Sequence, residues 1–139
     1  MPMTIQRYLS KISGPLLDRI DIHVEVPAVP YKELRDGATT ESSAQIRARV
    51  EQARTVQRTR GSHNSRMPSR LIRKLCVLND AGERTLEMAV RKLGLSARAH
   101  DRVLKVARTI ADLDHADTIA ARHIAEAVQY RSLDRNYWT

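Results

Sequence analysis

A chain of 139 residues, 42% of them hydrophobic, with no Phe, one Trp and four Tyr, suffices for one small aliphatic core and not for several domains. The lone cysteine excludes an internal disulfide and a cysteine zinc site, and no apolar run approaches the roughly 20 residues that cross a bilayer. All of the +8 net charge falls within residues 44–74, where nine Arg and Lys face one Glu, while the rest of the chain balances at fifteen of each sign; such a stretch attracts polyanions, whether nucleic acid, a membrane surface or an acidic protein face.

Residues 4–18 read as a short helix, a break at Gly14-Pro15 and a further turn. Ile20-Asp21-Ile22-His23-Val24-Glu25-Val26 then alternates apolar and polar residues with the period of a strand, which Pro27 and Pro30 end. It is the one strand signal in the chain, and a single strand has nothing to pair with. Residues 1–30 therefore read as the end of some other unit, irregular without their sheet, and Met1-Pro2-Met3 reads as a fragment boundary. Residues 31–42 form a linker.

From Ser42, which with Gln45 makes a capping box, the period predicts a helix to about Arg60 with Ile46, Val50, Ala53 and Val56 or Gln57 inward. Arg47, Arg54 and Arg58 share another stripe of it. A loop at 61–65 precedes a short helix from Pro68 to about Leu78, carrying Arg70, Arg73 and Lys74. Asn79 or Asp80 caps the next helix, with Leu86, Ala89, Val90 and Leu93 inward and Gly94 at its end. Ser96 caps a longer one whose apolar face is Val103, Val106, Ala107, Ile110 and Leu113, and a last helix from near Ile119 to about Ser132 buries Ile124, Ala127 and Val128. The expected fold is mainly α: a four-helix bundle over about 43–131, within a domain of 43–132, preceded by an isolated strand and short helical turns, and followed by a tail at 133–139.

The motifs of catalysis are missing from this sequence. It holds neither the G-x-x-x-x-G-K-[ST] phosphate loop nor G-x-G-x-x-G. The five histidines, His23, His63, His100, His115 and His123, have no metal-ligand spacing with acids and read as surface or structural. Cys76, inside Leu75-Cys76-Val77-Leu78, reads as a small core residue rather than a nucleophile. The free thiol, with no secretory leader and no spanning segment, points to the cytoplasm.

Three stretches together resemble a known family: Arg7 to Pro27, which contains Gly14-Pro15-Leu16-Leu17-Asp18-Arg19-Ile20-Asp21; Gly94 to Leu113, which opens Gly94-Leu95-Ser96-Ala97-Arg98-Ala99-His100-Asp101; and Ile124 to Arg131. They resemble the C-terminal part of magnesium-chelatase-like AAA+ ATPases of the YifB/ComM competence subfamily, over nearly the whole chain from Ile5 to Arg135. The resemblance implies that residues 1–30 are the tail end of an ATPase core, that the bundle is its helical lid, and that the phosphate loop and metal-binding acidic strand lie upstream. ATP and Mg2+ then belong to the longer protein, a P-loop ATP hydrolase, with neither bound nor turned over by this segment alone. Identical subunits in a ring and the upstream core are the implied partners.

Arg19 matches the position of an arginine finger, which acts in trans on a neighbouring subunit's γ-phosphate; on the residues alone it reads as an Arg paired with Asp18 or Asp21 at a strand entrance. Arg98 matches the second sensor arginine of such lids, which touches the phosphates of its own subunit's nucleotide; on the residues alone it is a solvated first-turn Arg sharing a face with Arg102 and Lys105. For Arg47, Arg54, Arg58, Arg70, Arg73 and Lys74 the resemblance implies a DNA-facing surface of a motor for branch migration in natural transformation. With no aromatic residue among them, they would grip phosphates rather than stack bases. The alternatives are a stand-alone basic DNA-binding module, a ring-assembly surface meeting an acidic neighbour, or a solubilising face. No acidic or histidine cluster offers a Mg2+ insertion site.

Overall fold

A computed structural model describes residues 2–37 and 40–131; the tail expected at 133–139 lies outside the described residues. The helices are Met3–Leu9 (α1), Gly14–Arg19 (α2), Tyr31–Arg35 (α3), Ser43–Thr59 (α4), Ser69–Leu75 (α5), Asp80–Leu93 (α6), Ala97–Leu113 (α7) and Ala121–Gln129 (α8), with a 3-10 turn at Asn64–Arg66. The chain is mainly helical, as expected. The four longer helices of the bundle are joined by the short α5.

The helix starts follow local chemistry. Ser42 Oγ accepts from the Gln45 amide at 3.2 Å while Gln45 Oε1 accepts from the Ser42 amide at 2.8 Å, the full reciprocal box. Asn79 accepts from Gly82 N at 2.8 Å to open α6, and Ser96 accepts from Ala99 N at 3.1 Å to open α7. Gly94 ends α6 with φ +61°, a left-handed conformation in which a side chain would be strained.

Helix α7 is the centre of the fold. Ala99, Val103, Ala107 and Ala111 recur every fourth residue and are essentially inaccessible, forming one narrow seam. The neighbouring stripe, Leu104, Arg108 and Asp112, is also buried. Helices α2, α4, α5 and α8 all rest on α7, and α8 also lies against α6. Met67, Ile72, Cys76, Leu86, Ile119, Ile124 and Ala127 complete the core. Each large aliphatic side chain buried there contributes about 1.5–3 kcal/mol. Ile119, expected within the last helix, instead precedes it and pairs with Leu78 in an isolated parallel bridge.

A buried polar network crosses this core. Asp112 accepts from Arg108 Nε at 3.1 Å, from Asn64 Nδ2 at 3.0 Å and from the Arg60 guanidinium. Arg108 also donates to the Asp117 and Ala116 carbonyls at 3.0 and 2.7 Å, closing the α7–α8 turn. Gln57 Oε1 accepts from Asn64 N at 3.1 Å. The network fixes the end of α4, the 3-10 turn and the end of α7 to one another.

Two expectations are corrected. The alternating segment 20–26 forms no strand among the described residues. A ladder needs a second backbone, and what holds this segment instead includes the His23 amide donating to the Tyr130 carbonyl at 2.6 Å. On α4, Ala53 and Gln57 are buried as expected, but Ile46 and Val50 are 42% and 37% exposed, and Val56 is exposed as well. The cleft where α4 meets α7 is lined on the α4 side by Val50, Ala53, Arg54 and Gln57, so the first turns of α4 have no partner among the described residues to cover them.

Candidate functional site

The region to consider is where α2, the start of α7 and α5 meet. Ser96 ends an extended approach, and its cap leaves the first amides of α7 pointing outward with the positive end of the helix dipole. Arg98 lies in that first turn and is exposed. With Ser69 and Ile72 of α5 and Ala97, Asp101, Arg102 and Lys105 of α7, it lines a cleft of about 310 Å³. Of the three cations on this face, Arg102 is paired with Asp21 and Lys105 Nζ donates to the Ser65 carbonyl at 3.4 Å. The Arg98 guanidinium makes no ion pair or hydrogen bond to another described residue. The spacing of Arg98, Arg102 and Lys105 suggested one solvated face; two of its three members are in fact engaged.

Arg19 ends α2, a helix capped by Ser13 with Pro15 in its first turn. Leu17 is the buried residue of α2, at 3% exposure, and seats it on α7. Asp18 accepts from Ser96 Oγ at 3.4 Å, so the segment bearing Arg19 meets the one bearing Arg98. Arg19 itself is exposed. The pairing considered for it, with Asp18 or Asp21, does not form: Asp18 faces Ser96 and Asp21 faces Arg102.

The cations of 44–74 divide between two places. Arg47, Arg54 and Arg58 are exposed on α4, whose cleft against α7 involves Thr109 and Leu113. Arg70, Arg73 and Lys74 are exposed on α5, whose Ser69 and Ile72 wall the cleft of Arg98. Those two stretches of α7, 97–105 and 109–113, are four residues apart at their nearest, about 6 Å along the axis. Arg58 lies 3.6 Å from Glu51, a solvent-screened pair of little energetic weight. Arg60, part of the same run, is withdrawn into the Asp112 network.

Cys76 is buried and its thiol is pushed up to about 11 by burial, so it is held as the inert thiol. His123 is buried: Nδ1 accepts from the Ala120 amide at 2.9 Å, which puts the ring hydrogen on Nε2, facing Asp114 at 2.9 Å. No group of three metal-ligating side chains occurs among the described residues, and none of their helices is long and apolar enough to cross a membrane.

Sequence reasoning missed Arg131, Arg102–Asp21 and the partners of Asp112. The Arg108–Asp112 pair carried a readable signal, its i,i+4 spacing. The others join residues 48 to 114 positions apart, and no local pattern encodes that.

Residues 40–131 match the family model described as magnesium chelatase, subunit ChlI C-terminal, and residues 1–34 match that of magnesium chelatase, subunit ChlI. The chain is 46% identical over 136 residues to the competence protein ComM of Haemophilus influenzae, covering 96% of this chain and 27% of that protein. It is 46% and 44% identical over the same length to the uncharacterized YifB proteins of Salmonella typhimurium and Escherichia coli, again 96% of this chain and 27% of each relative. The chain thus spans about a quarter of the length of these relatives.

Proposed function

This chain belongs to the magnesium chelatase subunit ChlI C-terminal family, and from that premise we propose that it is the lid, with the last segment of the ATPase core, of a cytoplasmic AAA+ ring motor that acts on DNA. The observation that carries this reading is the pair Arg19 and Arg98: two exposed guanidinium groups on segments joined by the Asp18–Ser96 contact, each without an ion-pair partner among the described residues.

The residues fit a phosphate chain on one side only. Arg98 at the amino end of a 17-residue helix, beside a cleft of about 310 Å³, suits an anion. The described residues offer no acidic cluster for Mg2+, whose ligands belong to the upstream core. Bound Mg2+ and ATP would supply the γ-phosphoryl group and much of the neutralising charge. Arg98 orients that phosphate chain within its own subunit and registers whether it is present. Arg19 projects from the subunit edge to a neighbour's site, where it offsets charge developing on the transferred group.

The basic helices α4 and α5 supply the DNA contact of this reading, with Arg47, Arg54, Arg58, Arg70, Arg73 and Lys74 gripping phosphates without sequence choice. One relative is named a competence protein, which supports natural transformation as the setting of this reading. The deciding experiment is Arg19→Ala in the complete polypeptide. ATP turnover is lost while ATP still binds; normal turnover removes the assignment.

A further inference from the structure

We infer that Arg102 is a positioning residue that, on the backbone hold supplied by Arg131, locks Arg19 to the lid, so that Arg19 moves as part of the bundle rather than with the segment before it. The inference rests on the reading of Arg19 given above and adds a regulation to it: the lid that carries Arg98 also aims Arg19.

The contacts come from two directions and bracket Arg19. From α7, Ser96 Oγ donates to Asp18 and the Arg102 guanidinium holds the Asp21 carboxylate. From the end of α8, the Tyr130 carbonyl accepts from the His23 amide, and Arg131, 1% exposed, donates to the carbonyls of Leu17 at 3.3 Å and of Ile20. A helix of six residues with one buried side chain does not hold its own position. The bundle sets it. Ile20 O lies just past the end of α2, and Leu17 O takes Arg131 beside the Ile20 amide, its donor at 3.1 Å, so the grip falls on the turn from which Arg19 projects. Arg98 and Arg102 are one helical turn apart on α7. A tilt of α7 that follows the phosphates beside Arg98 therefore displaces Asp21, and with it Arg19, toward or away from the neighbouring subunit.

The test uses the complete polypeptide, measuring ATP turnover, nucleotide bound per subunit and the melting temperature for Arg19→Ala, Arg102→Gln and the exchanged pair Asp21→Arg with Arg102→Asp. The Asp21 and Arg102 side chains are 45% and 27% exposed, so these variants fold. In Arg102→Gln, kcat is expected to fall about tenfold, with KM for ATP, bound nucleotide per subunit and melting temperature unchanged. The exchanged pair is expected to restore kcat to within about threefold of the parent. A purely structural role would lower bound nucleotide and melting temperature together and would overturn the inference. So would a rise in KM at constant kcat, which would make Arg102 a phosphate contact, or an exchanged pair that recovers nothing. An inactive Arg19→Ala beside a fully active Arg102→Gln sinks the lock and leaves the finger standing; an active Arg19→Ala sinks the finger itself.

Discussion

Arg131 and Ile20 are 111 residues apart in the chain, yet the guanidinium of one donates to the main-chain carbonyl of the other. The same side chain reaches Leu17 O at 3.3 Å. A segment that forms no strand among the described residues is thus held by a side chain that donates to its main-chain carbonyls. Arg131→Ala leaves both carbonyls without this donor and opens a cavity in a site otherwise closed to solvent. The expected loss is about 3 kcal/mol, read as a lower urea midpoint, with amide exchange at Leu17 to His23 accelerating first. A loss below about 0.5 kcal/mol would mean that the segment is held by other means.

Asp112 is the acceptor on which two guanidinium groups and one carboxamide converge. Asp112→Ala strands Arg108 and Arg60 as uncompensated cations, and the expected cost is about 3–5 kcal/mol. Chemical denaturation of the two proteins measures it. The double variant Asp112→Leu with Arg108→Met removes both charges and is expected to recover a large part of that loss; no recovery would show that Arg60 alone still needs the carboxylate.

The Cys76 thiol is buried and pushed up to about 11, chiefly by burial, so little thiolate exists at neutral pH. A disulfide reagent added to the folded chain is expected to react at the rate of global opening, and within the mixing time once denaturant is present. Rapid labelling of the native chain would place the sulfur at the surface.

The hydrogen bond from His123, aided by the Arg122 guanidinium, holds the Asp114 carboxyl below the usual carboxylate range. A depressed folded value means that Asp114 stabilises the fold above its unfolded value, roughly pH 4. That contribution is lost as pH falls through the lower folded value. Asp114→Asn should therefore flatten the acid limb of a stability–pH curve below about pH 4 and shift the whole curve down above it. Parallel curves for the two proteins would assign the acid sensitivity to other carboxyls, such as Glu41, which is lowered by its hydrogen bond from Arg49.

The bundle was legible because its signals are local. Ser42, Asn79, Ser96 and Gly94 act within three or four residues of where they stand, and the inward faces of α6 to α8 repeat with the helical period. α4 was half legible: its period is real, but Ile46 and Val50 face solvent because a helix buries only what another element covers. The alternation at 20–26 was a true pattern with no ladder, since pairing is a property of two segments and no second strand occurs among the described residues. At the site, Arg19 and Arg98 stood out through resemblance. Their freedom from ion pairs became visible only when Arg102 and Ser96 were seen to take Asp21 and Asp18. Arg60 read as one more cation of a basic run, and nothing near it in sequence announced its burial beside Asp112.

The seam of Ala99, Val103, Ala107 and Ala111 has a mechanical consequence. Small side chains every fourth residue, three alanines and one valine, let neighbouring elements pack closely on α7, so the 17-residue rod, about 25 Å long, tilts together with the bundle packed on it. Stiffness, and not any single bond, is what makes this small domain serviceable as a lever.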